Sequence, residues 1–169
     1  MPSWRWRGRF PNWRAKAPSV SPDLEIFHTR LGAILAVVIN LLIIGVLLAR
    51  LAGRPKLEYW LGAILLVSIV PLGYLLIAAL GRGESAIYLI WLGLMLAYLV
   101  VELLLDYVFQ YDFRNVRWMV IAYVTLLFGA TGGMIGVAAR AGRGWMFAAV
   151  ATFVAMFMTA FYQHFKTGM

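Results

Sequence analysis

The chain has 169 residues, 63% hydrophobic and 13% charged, with a mean hydropathy of +0.84 and a formal net charge of +8. Soluble domains run at about 45–50% apolar and about 25% charged, so this composition excludes an ordinary water-soluble fold. The absence of cysteine excludes disulfides, thiolate catalysis and cysteine-held metals or clusters.

A basic tail opens the chain over residues 1–29. Pro2, Pro11, Pro18 and Pro22 forbid one continuous helix through it. Arg5, Arg7, Arg9, Arg14 and Lys16 interleave with Trp4, Trp6, Phe10 and Trp13. Cations spaced among aromatics suit anionic lipid headgroups, at about 1 kcal/mol per basic residue, with the indoles at the interface. A solvated leader that only sets topology fits the same residues equally well. Nucleic acid is not expected as a partner, because no fold stands behind the arm.

Five uncharged stretches follow: Leu31–Ala49, Tyr59–Gly81, Ser85–Val101, Trp118–Ala139 and Gly144–Phe165. A helix needs roughly 20 apolar residues to cross about 30 Å of hydrocarbon. Four stretches meet that length, and the third does once it is extended through Glu102 to Phe109. The first is too long, at 19 residues, for a signal-peptide core of about 7–15, so it reads as a retained helix. None alternates as a membrane strand does, and apolar backbone in lipid satisfies its own hydrogen bonds as a helix. The expected fold is therefore all-α: a membrane domain over 30–165 with transmembrane helices at about 30–50, 57–80, 85–109, 116–139 and 144–164. Short connections at Arg50–Leu57, Gly81–Glu84, Tyr111–Arg117 and Arg140–Arg143 predict five helices in an up-and-down antiparallel bundle.

Within the second helix, Pro71 predicts a kink without termination. Asn40 and Ser68, near the middles of helices one and two, are expected to bond between helices. Trp60, Trp91, Trp118 and Trp145 each sit near a helix start, as interfacial anchors do. The pattern Leu31-Gly-Ala-Ile-Leu35 recurs as Leu61-Gly-Ala-Ile-Leu65, with an echo at Leu92–Leu96, and chance in such a composition explains it.

Helix three carries the chemistry. Tyr98, Glu102, Asp106 and Gln110 follow one another at four-residue spacing, which is one face of an α-helix. Glu102 falls about 7 Å beyond the middle of the span, still within hydrocarbon. An acid at a helix centre costs about 2.5–3.5 kcal/mol and less toward the edge, so the stripe is expected to face the bundle or a wet cavity. The favoured reading pairs Glu102 or Asp106 with Arg114 or Arg117 across the next turn. The competing reading is a proton or cation site, since adjacent carboxylates raise one another's pKa.

Helix four holds Gly129, Gly132, Gly133 and Gly136 at the small-xxx-small spacing that lets helices approach closely, a commoner use than an unwound ion site. Helix five, with Met146, Met156, Met158, Phe147, Phe153 and Phe157, reads as lipid- or partner-facing. His28 and His164 fall on opposite faces of the membrane and cannot share a metal or haem; no metal site is expected, and the sequence assigns no cofactor.

Orientation follows the basic residues. The side of the leader carries nine and the other side six, which places the N-terminus in the cytoplasm and the protein in the plasma or inner membrane. Enzyme motifs such as Gly-x-Ser-x-Gly or a phosphate loop are missing. Two functions fit: an accessory or scaffolding subunit that binds partner helices and lipid, or a proton- or cation-linked channel or transporter built on Glu102 and Asp106. Either implies the bilayer and its anionic headgroups as partners, within a homo-oligomer or a larger membrane complex.

Overall fold

The computed structural model describes residues 21–109 and 116–167. The basic tail, with Arg5, Arg7, Arg9, Arg14 and Lys16, lies outside the described residues, and so does Arg114. Among the described residues the chain is helical throughout, without strands: α1 (Pro22–Leu51), α2 (Pro55–Val67), α3 (Ile69–Gly81), α4 (Ala86–Glu102), a π-helical segment (Leu103–Val108), α5 (Arg117–Ala139) and α6 (Arg143–Thr167). Five helices are long and apolar enough to cross a membrane, with α2 and α3 together forming the second and α4 with the π segment forming the third.

The first helix starts at Pro22, earlier than the apolar run suggests. Proline suits this first position, where its missing N–H has no intrahelical partner. Asp23 and Glu25 in the first turn and Arg50 in the last match the helix dipole. Pro22 thus begins the helix that the sequence pattern places later.

Pro71 has a stronger effect than a bend. Lacking an N–H, it cannot bond the carbonyl of Val67, and its ring crowds that same carbonyl. The α-helix stops at Val67, Ser68 closes a tighter turn onto Leu65 O at 3.0 Å, and a new helix resumes from Ile69. The second span is two half-helices joined at a buried serine.

The helices α1 and α6, and α4 and α5, share the widest contacts, while α1 also meets α2 and α5. Their common core is apolar and tightly closed: Ala33, Ile39, Leu72, Leu75, Leu92, Met95, Leu99, Ala130, Met134 and Met156 are fully buried. Asn40 crosses it, donating from Nδ2 to Thr152 Oγ1 at 3.2 Å and tying α1 to α6. Trp91 packs against α5, where a Cβ added at Gly136 would lie 2.4 Å from its ring and one at Gly133 2.9 Å. Gly129 and Gly132 of the same motif meet open space. The glycine pattern is therefore half used, with its C-terminal half receiving a tryptophan rather than a helix backbone. Trp60 and Trp118, at 66% and 79% exposed, remain at the surface.

Candidate functional site

Polar side chains gather at the two ends of the helical assembly. At one end stand the close of α1, the start of α2 and the close of the third span. Arg50, Pro55, Glu58, Tyr59, Gly62, Glu102, Asp106 and Tyr107 line an open cleft of about 290 Å³ there. Arg50 ends α1 and Glu58 lies in the first turn of α2, so the hairpin between them brings the two side chains level. The guanidinium donates to Glu58 Oε1 through Nε at 2.8 Å and Nη2 at 2.5 Å.

Tyr98 and Glu102 are buried against α5, as the stripe predicts, and Glu102 is only 7% exposed. Its partner in α5 is Tyr123, whose hydroxyl donates to Glu102 Oε2. Tyr98 Oη stands 3.3 Å from Tyr123 Oη, so Tyr98 can donate to Tyr123 and the three groups form a relay across the α4–α5 contact. Tyr123 was legible in principle: positions 102 and 123 are equally distant from the centre of the intervening turn, so an antiparallel hairpin sets them level.

Asp106 is exposed on the wall of the cleft that Glu102 also lines. From Leu103 the backbone widens to π geometry, and Phe109 N–H reaches back five residues to Leu104 O at 2.8 Å. Tyr107 instead points at α2. It donates to Tyr59 O at 2.8 Å and passes so close to Gly62 that a Cβ there would lie 2.5 Å from its oxygen. Arg117, expected beside the acids, is exposed at the start of α5. Arg50, from the first connection, lines the same cleft as Glu102 and Asp106.

The opposite end holds a network to which the sequence pattern gives no prominence. Gly83, at φ +64°, reverses the chain after α3, and Glu84 N–H then closes back onto Ala79 O at 3.1 Å. That turn aims Glu84 between two arginines: Oε2 accepts from Arg140 Nη1 at 2.5 Å, and Oε1 stands 3.5 Å from Arg82 Nε. Arg140 also donates to Ser85 Oγ at 3.2 Å and lies 4.1 Å over the Tyr88 ring. His28, buried in the first turns of α1, meets Tyr74 Oη through Nε2 at 3.0 Å and Arg82 Nη1 through Nδ1 at 2.5 Å. The ends of α1, α3, α4 and α5 are joined through these side chains.

Among the described residues no group of three or more His, Asp and Glu side chains is placed to hold a metal ion. Comparison with protein-family models, with curated proteins and with solved structures yields no match, so neither fold nor activity passes to this chain from a relative.

Proposed function

We propose that the protein is a small multi-pass subunit of the plasma or inner membrane that scaffolds partner helices and lipid, its five spans forming an up-and-down antiparallel bundle. The observation that carries this reading is the fully buried apolar layer from Ile39 and Leu72 through Met95 and Met134, which separates the two polar ends. Transport needs a continuous hydrophilic route. Among the described residues the polar side chains within the layer are scattered: Asn40 bonds to Thr152 of α6, Thr131 bonds back to Leu127 O, and Ser68 sits at the break in the second long helix. The outward face supports partner binding. The last span is the least buried of the five, with Phe147, Val154, Met158, Phe161 and Phe165 exposed, and beside it α5 leaves Gly129 and Gly132 open. The Lys/Arg excess of the tail side supports a cytoplasmic N-terminus, with Arg5, Arg7, Arg9, Arg14 and Lys16 on anionic headgroups.

One observation favours the second reading, a proton- or cation-linked transporter: the cleft that holds Glu58, Glu102 and Asp106 together. The two readings separate in one preparation. Native mass measurement from lipid nanodiscs is expected to show stoichiometric, heterogeneous partners, and proteoliposomes are expected to show no pH-driven ion flux above empty vesicles. A symmetric homo-oligomer whose flux disappears in Glu102→Gln would replace scaffolding with transport.

A further inference from the structure

We propose that His28 is a protonation-controlled clasp that holds the start of α1 against the end of α3 when neutral and releases it when charged. His28 is 6% exposed and both its ring nitrogens are engaged. A guanidinium has donors and no acceptor, so Nδ1, 2.5 Å from Arg82 Nη1, must offer a lone pair. The ring is then neutral with its proton on Nε2, which donates to Tyr74 Oη. A second proton would set an N–H against an N–H and bring two cations into contact inside the helical assembly.

The neighbouring groups favour release over accommodation. From α3 and the turn beyond it come Tyr74, Arg82 and Glu84; from α4 Tyr88; from α5 Arg140; and from α1 itself the ring of Phe27 and the Leu24 carbonyl, the one group that favours a charged ring against burial and Arg82, while Asp23 and Glu25 are exposed on its first turn. The one carboxylate in the network, Glu84, already accepts from Arg140 and is not hydrogen-bonded to His28. Arg82 has somewhere to go, since its buried Nε makes no hydrogen bond and stands 3.5 Å from Glu84 Oε1. Acidification moves Arg82 onto Glu84 and frees the first turns of α1, to which residues 1–20 are attached. The contact is present above the imidazole's titration and lost as pH falls through it. This holds whether the chain scaffolds or transports.

Because the chain has no cysteine, nitroxide pairs can be introduced cleanly at exposed Leu24→Cys and Leu80→Cys, on α1 and α3. In lipid nanodiscs, the spin–spin distance distribution is expected to be narrow at about pH 8 and to broaden toward longer distances by about pH 5, where imidazoles charge. His28→Gln keeps an acceptor for Arg82 that does not titrate, so its distribution should stay narrow at both. An unchanged wild-type distribution, or an equal response in His28→Gln, overturns the clasp. A second measurement needs no His28 variant: imidazole ¹⁵N shifts in a His164→Gln background should report the Nε2–H tautomer at about pH 8. Protonation of Nδ1 there overturns it as well.

Discussion

The two polar ends use similar residues differently. At the His28 end, Glu84, Arg82 and Arg140 are drawn into one network by a tight turn at Gly83, and four helices meet through side chains. At the Glu102 end, the polar groups divide between a peripheral pair, Arg50 with Glu58, and a buried relay, Tyr98 to Tyr123 to Glu102, with a cleft between them. The difference traces to backbone. A left-handed glycine turns the chain back at one end, while a π-helical segment closes the third long helix at the other. In an interlocked end one altered charge is felt by every member of the network; across a cleft it is felt by its own partner.

This contrast makes the His28 end the more sensitive to loss of a single charge. Glu84→Gln leaves two partly buried arginines without their anion and is expected to destabilise by about 2–3 kcal/mol, read from SDS-driven unfolding in mixed micelles. Tyr123→Phe takes the hydroxyl donor from buried Glu102 and should cost about 1–2 kcal/mol in the same assay, with Tyr98→Phe costing less. Gly62→Ala forces Tyr107 off Tyr59 O, for about 1 kcal/mol and faster amide exchange in the first turns of α2. Glu58→Gln, at a pair open to the cleft, should move stability least, by about 0.5 kcal/mol. Were Glu58→Gln to match Glu84→Gln, the two ends would be equivalent and the contrast would be gone.

Much of this architecture is legible in the sequence. The five apolar runs mark the five helices long and apolar enough to cross a membrane, because helical length against hydrocarbon thickness is a coarse requirement. The burial of Tyr98 and Glu102 follows from their spacing. The π-helical segment does not, because four-residue spacing assumes an α-helix and nothing in Leu-Leu-Leu-Asp-Tyr-Val announces a wider turn. The Arg82–Glu84–Arg140 cluster escapes for a different reason. Its members come from two short connections far apart in sequence, and charges at helix ends ordinarily read as solvated caps. His28 looks like part of the leader until Pro22 is seen to start the helix rather than prevent it.

The meeting of α1 with α6 has a consequence for biogenesis. Asn40 and Thr152 lie 112 residues apart, so the Asn40 Nδ2 lacks this acceptor until α6 has been synthesised. Closure of the α1–α6 contact is thereby coupled to the arrival of α6, and ribosome-stalled intermediates ending before Arg143 should be those that quality control recognises.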